Sequence, residues 1–346
     1  MSFASRIDGF QNRYPRVGYP LAVIYKYADD QGGYLAALIT YYAFVSLFPS
    51  LLLFTTVLGF VLEKQPGLRD RIVDSALQQI PVVGDQLNDP ASLSGGVTAV
   101  IIGLVGALYG GLGVSVATQN AMNAVWAVPR NSRPNPILVR LRGMVLLFTV
   151  GLSMVALVAI SITAAAIDFQ GASKAYTEIG QLVLAVVVFT FAFRFGTVRK
   201  LSIGNVLPGA LIAAIGWLLL QRFGGFYVER VITRASAVNS VFASVLGLIA
   251  FLYLAAVLLV VCLEINAVRV DKLYPRSLLT PFTDDVVLTD GDIRTYTRLA
   301  KAQRNKGFQV IDVVFDKGDA VIDTEASEAP TTEITRPDGG LSPPPR

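Results

Sequence analysis

The chain has 346 residues, 53% of them hydrophobic and only 16% charged, with a formal net charge of +4. Soluble domains carry about 25% charged residues, so this chain lacks the polar surface to cover a globule in water, and its mean hydropathy of +0.56 agrees. It has no histidine and a single cysteine, Cys262, inside an apolar run. That excludes an internal disulfide, suggests no thiolate zinc site and removes the commonest general base and metal ligand.

The charges are segregated into short connectors between long uncharged stretches, the pattern of a chain whose solvent is lipid. Basic residues beside cytoplasmic span ends face anionic headgroups. They account for the basic character without nucleic acid, which is not expected as a partner.

The N-terminal segment, residues 1–34, has no apolar core followed by a small-residue cleavage site. A removed signal peptide is therefore not expected, and the first span should act as the insertion signal. Tyr14, Tyr19, Tyr25 and Tyr27 lie here among apolar residues, as an interfacial aromatic belt would.

A helix needs about 20 mainly apolar residues to cross the hydrocarbon, and six stretches between residues 35 and 268 qualify. They run from Leu35 to Leu62, Val97 to Val128, Leu141 to Ile167, Ile179 to Phe195, Val206 to Leu220 and Val241 to Leu263. The predicted fold class is all-α, a polytopic membrane protein of six transmembrane helices. The fifth stretch is the weakest, short and broken by Pro208, Gly209 and Gly216, with an extension through Gln221 to Tyr227 as an alternative. Counting connectors, eleven basic residues fall on the side of the N-terminus against seven on the other. Both termini are therefore expected in the cytoplasm. A five-span arrangement with the C-terminus outside is the alternative.

Residues 67–80 put Leu68, Ile72, Ala76 and Ile80 on one face, which reads as an amphipathic interfacial helix or a soluble loop helix. After Val270 the composition becomes that of a soluble chain. Residues 269–323 read as a small cytoplasmic extension, with a capped helix from Thr289 to Asn305 and a strand from Phe308 to Phe315. Residues 324–346, rich in Pro, Thr, Glu and Gly, read as a disordered tail.

Polar groups at membrane depth are costly and need a reason. Glu264 and Asn266 stand in CLEINAVR; Arg194 and Arg199 end the fourth span. Gln119, Asn120 and Asn123 lie in the last turns of the second, and Tyr41 and Tyr42 near the start of the first. All fall in the half predicted to be cytoplasmic. They suggest a polar cavity between spans one, two, four and six, in which Glu264 pairs with Arg194 or Arg199. Span ends that snorkel to the interface, and hydrogen bonds between helices, explain the same residues without function. Gly106 and Gly110 form a small-xxx-small pair for close packing, and Pro49 should kink span one. The acidic pairs Asp29–Asp30 and Asp284–Asp285 are the only candidates for metal-ion work, and both read rather as solvated loop charge. There is no Walker A sequence, HExxH, paired zinc spacing or GxSxG, so no catalytic residue, metal or cofactor is expected.

Four blocks carry a resemblance: GGYLAALITYYAFVSLFPSLLLF at 32–54, ATQNAMNAVWAV at 117–128, PGALIAAIGWLLLQRFGGFYV at 208–228 and NSVFASVLGLIAFLYLAAVLLVVCLEINAV at 239–268. Together the chain resembles the YihY/virulence factor BrkB family of bacterial inner-membrane proteins, formerly labelled ribonuclease BN. Where that family usually has a small-residue pair before the acidic residue, this chain has Cys262–Leu263, with Glu264 and Asn266 kept. The resemblance implies six spans in the cytoplasmic membrane and suggests envelope integrity or lipid export. The expected function is a transporter or flippase-like protein for an amphipathic or anionic envelope substrate, in contact with membrane lipids, with self-association left open. A non-transporting membrane scaffold is the alternative, and a membrane-associated ribonuclease the disfavoured one.

Overall fold

A computed structural model of the protein describes residues 3–61, 96–166, 172–227, 230, 237–284 and 286–315. The expected interfacial helix at 67–80 and the expected tail at 324–346 lie outside these residues. All regular structure among them is helical.

Two short helices, α1 (Phe3–Arg13) and α2 (Tyr19–Asp29), precede six long ones. These are α3 (Gly32–Val61), α4 (Gly96–Val125), α5 (Pro136–Ala166), α6 (Ala172–Phe195), α7 (Ile203–Tyr227) and α8 (Ala237–Asp271). Five stretches, in α4 to α8, are long and apolar enough to cross a membrane, and α3 contributes a shorter apolar stretch, Gly32–Leu47. The long helices carry apolar residues on their outer faces as well as their inner ones. Ile102, Val105, Phe148, Val155, Val183, Leu219 and Leu246 are all exposed. Such faces are stable against acyl chains and not against water.

Successive long helices pack against one another from α3 to α8, and α8 closes the ring on α3 while also touching α2 and α4. The main core lies at one end of this bundle. There Ala36, Ala117, Ala121, Ala210, Ala213 and Ala267 bring backbones together around Met122, Trp126, Phe193 and Leu263. Small side chains do this work because lipid tails supply no hydrophobic drive between helices.

The α3–α4 seam shows the same device. A Cβ added to Gly106 would lie 2.6 Å from Pro49 Cβ, and one on Gly110 would lie 2.5 Å from Ser46 Cα. Gly113 is covered by the Tyr42 ring. The glycine pair and the proline are thus two sides of one contact.

The fifth apolar stretch is longer than its 206–220 core: α7 continues unbroken to Tyr227. Pro208 lacks an N–H, so the Gly204 carbonyl loses its intrahelical donor. Neighbouring α8 repairs the break. Arg269 donates to the carbonyls of Gly204 and Asn205, the latter at 3.2 Å. Asn266 accepts from Gly209 N–H at 2.9 Å and donates to the Val206 carbonyl at 3.0 Å. Close packing beside Cys262–Leu263 comes from the opposite helix, where Gly209 meets Asn266 and the Cys262 carbonyl.

Beyond α8 the chain does not form the expected helix-plus-strand extension. Helix α9 (Asp290–Ala302) is present with a Thr289–Asp292 capping box. Residues 308–315 form no strand, and Phe308 and Val310 are exposed. A lone apolar run with no partner has nothing to satisfy its backbone groups, so alternation alone does not make a ladder.

Candidate functional site

Helix α2 lies across the end of the bundle, where Tyr19 Oη donates to the Ile265 carbonyl at 2.5 Å. This placement drives Lys26 inward. Its ammonium donates to the Val125 carbonyl at the end of α4, at 3.1 Å. It pairs with Asp30 one turn on, and lies 3.4 Å from Glu264 Oε2 of α8. The side chains of Lys26, Asp30 and Glu264 are 3%, 2% and 0% exposed, so water screens none of them. Neither Glu264 oxygen has a hydrogen-bond partner. Burial works against the Lys26 charge, but Glu264 and Asp30 hold its ammonium above the usual lysine range. Burial pushes the Asp30 carboxyl up, against the pull of Lys26.

This arrangement corrects two expectations. The cation of Glu264 is Lys26, not Arg194 or Arg199: Arg199 is committed to Asp271 through two bonds of 2.8 and 2.7 Å, and Arg194 is exposed. Asp29–Asp30 is not solvated loop charge either. Asp30 is buried, and Asp29 pairs with Arg276 at 3.0 Å. Asp284 is exposed, and Asp285 lies outside the described residues.

A second layer of charge ties the C-terminal segment to the same end. Arg276, fully buried, bridges Asp29 and Asp292 and lies over the rings of Tyr25 and Tyr296. Burial opposes its charge, but Asp29 and Asp292 hold its guanidinium above the usual arginine range. Asp8 of α1 accepts from Leu278 N–H at 2.9 Å, and Tyr25 Oη donates to the Leu278 carbonyl at 2.6 Å. Asp271 also receives Arg298 of α9 at 2.8 Å, and Arg199 covers the Trp126 ring.

The polar residues singled out from sequence divide into three groups. Gln119, Asn123 and Asn266 hold backbone. Gln119 donates to the Val139 carbonyl at 3.0 Å, and Asn123 accepts from Val198 N–H at 3.0 Å and from Thr197 Oγ1 at 3.1 Å. Glu264 belongs to the buried ion cluster. Asn120 and Tyr42 line an open groove with Tyr109, Leu112, Val116 and Arg140, between α3, α4 and α5, of about 680 Å3. Tyr41 is exposed, its ring edge-on to Tyr42 with centroids 5.3 Å apart. The groove is lined mainly by apolar residues, with Asn120 and Arg140 among them and Pro136 at the start of α5. Helix N-termini favour anions. Exposed Tyr109 and Val105 lead from it onto the outer face of the bundle.

Sequence reasoning passed over Lys26, Asp30 and Arg140 as site residues. The signal for Lys26 was its place one turn before Asp30 inside the apolar run YPLAVIYKYADD. A charged pair in such a run has to be buried or to snorkel.

A ring of lipid-facing helices closed at one end by buried ion pairs defines a multi-pass α-helical membrane protein. Comparison with known proteins agrees: the sequence profile described as virulence factor BrkB matches residues 23–281, and the chain belongs to that family. A relative described as ribonuclease-like, YfkH of Bacillus subtilis (strain 168), is 26% identical over 267 residues, covering 70% of this chain and 91% of its own. The inner membrane protein YhjD of Escherichia coli (strain K12) is 26% identical over 277 residues, covering 72% and 80%. No solved structure matches. The protein is thus a multi-pass inner-membrane member of the family.

Proposed function

We propose that the protein is a flippase-like transporter for an amphipathic, anionic envelope substrate. The observation that carries this reading is the groove between α3, α4 and α5, where Arg140 and Asn120 share an otherwise mainly apolar lining with exposed Tyr109. Its volume lies within the roughly 300–1,000 Å3 usual for ligand sites. An anionic headgroup suits the guanidinium, and an acyl chain suits the side lined by Tyr109, Leu112 and Val116. The reading takes six spans with both ends in the cytoplasm, from the excess of basic residues on that side. Arg140 then lies toward the leaflet from which a substrate made in the cytoplasm would enter.

Reconstitution tests it. Proteoliposomes carrying fluorescent phosphatidylglycerol should exchange it between leaflets faster than empty liposomes, and faster than they exchange fluorescent phosphatidylcholine. Arg140→Gln should remove most of the difference. Exchange no faster than in empty liposomes for both lipids would refute the reading.

A further inference from the structure

We propose that Lys26, Asp30 and Glu264 form a proton-binding site holding one exchangeable proton between the two carboxyls, and that its occupancy is felt at the groove. Both carboxyls are buried and, among the described residues, have ion pairs only with Lys26. One cation cannot neutralise two carboxylates, and an uncompensated buried charge is strongly disfavoured. Among the described residues no other cation forms an ion pair with either carboxyl. Tyr27, which also faces Glu264, brings no positive charge. Arg199 and Arg298 share Asp271; both are about a third exposed and so screened by solvent, and Arg298, though it acts on Asp30, forms no ion pair with it, while Arg276 pairs with Asp29 and Asp292. The second observation is Glu264 itself, wholly buried with both oxygens lacking a hydrogen-bond partner. A proton on one carboxyl removes the excess charge and provides the missing donor. One O–H bond forms, and the water or buffer that gives up the proton keeps the electron pair.

The link to the groove is through backbone. Lys26 holds one carbonyl at the end of α4, that of Val125, and α4 supplies Tyr109, Leu112, Val116 and Asn120 to the groove. Asp30 sits two residues before α3, which supplies Tyr42. Left-handed backbone at non-glycine residues marks both joints: Gln31 has φ 56° and Ala127 has φ 49°. Strain of this kind gathers at sites that switch. When the proton leaves, Lys26 is drawn more strongly to the carboxylates and away from Val125, which loosens the end of α4. This second half rests on the groove reading; the proton site itself does not.

Infrared titration of the full-length protein in phosphatidylcholine nanodiscs reads the proton directly. At neutral pH the wild type should show a protonated-carboxyl band that shifts with carbon-13 glutamate or aspartate, and that Glu264→Gln or Asp30→Asn removes or moves. The isotope label decides the matter on the wild type if neither variant folds. Absence of such a band at every pH where the protein is folded, or a band indifferent to both labels and both variants, would overturn the site. In the same discs, binding of labelled phosphatidylglycerol should change severalfold across the pH at which the band disappears, with the step lost in the two variants. Binding that is strong but flat with pH would overturn the link and leave the groove standing. No binding at all, with the band present, would fell the groove reading and leave the proton site.

Discussion

Lys26 is the residue on which the buried end of the bundle turns, because it is the counter-ion of two carboxyls that water cannot reach. Lys26→Met should destabilise the solubilised protein by about 3–5 kcal/mol, as removing one partner of a buried pair does. The loss should shrink in acid, where the carboxyls are free to take up protons. Heating followed by size-exclusion chromatography at several pH values measures both. Asp30 gives a second, signed expectation. Its carboxyl is raised in the folded chain, so its contribution is full below the ordinary aspartate value of about 3.9. It is lost as pH rises through the folded value. Melting temperature should therefore fall as pH rises from that point, and Asp30→Asn should flatten the fall. Asn266 makes the third. Asn266→Leu leaves Gly209 N–H unpaired beside Pro208 and should cost about 1–3 kcal/mol. Pro208→Ala in the same chain should recover part of that, since an N–H at 208 returns a donor to the Gly204 carbonyl; a double-mutant cycle reads the coupling. At this scale the sequence was only half legible. Glu264 and Asn266 stood out as polar groups in an apolar run, whereas the partner of Glu264 lies 238 residues earlier in the chain. A Lys–Asp pair at the edge of a span looks the same from sequence whether it snorkels or is buried.

At the scale of elements, α9 and the segment before it belong to the bundle end rather than to an appendage. Arg276 and Asp292 reach Asp29, the neighbour of Asp30, and Asp8 and Tyr25 hold the backbone at Leu278. A deletion starting at residue 280 would therefore remove α9 and a partner of the site, so loss of function in it could not distinguish a scaffold from a transporter. A chain ending at residue 315 should keep wild-type thermal stability, whereas one ending at 279 should lose the folded bundle end and appear as aggregate on size exclusion. Equal behaviour of the two would show that the Arg276 bridge contributes little. Helix existence was legible because about 20 apolar residues without charge leave few options. The run at 308–315 was misread because alternation predicts a strand only where another strand is available to pair with it.

For the whole molecule, the long apolar helices and their lipid-facing exterior followed from composition, whereas their closure into a ring did not. Nor did the groove, since its lining comes from α3, α4 and α5 together and exists only once those helices are packed. The account rests on that groove holding an anionic amphiphile at Arg140. Equilibrium binding of labelled phosphatidylglycerol to the full-length protein in phosphatidylcholine nanodiscs tests it most directly, with Arg140→Gln and a labelled phosphatidylcholine as comparisons. The account predicts saturable binding of the anionic lipid that weakens about tenfold or more in the variant, the worth of a charge-assisted hydrogen bond. Equal binding of both lipids, or binding that Arg140→Gln leaves unchanged, would contradict it.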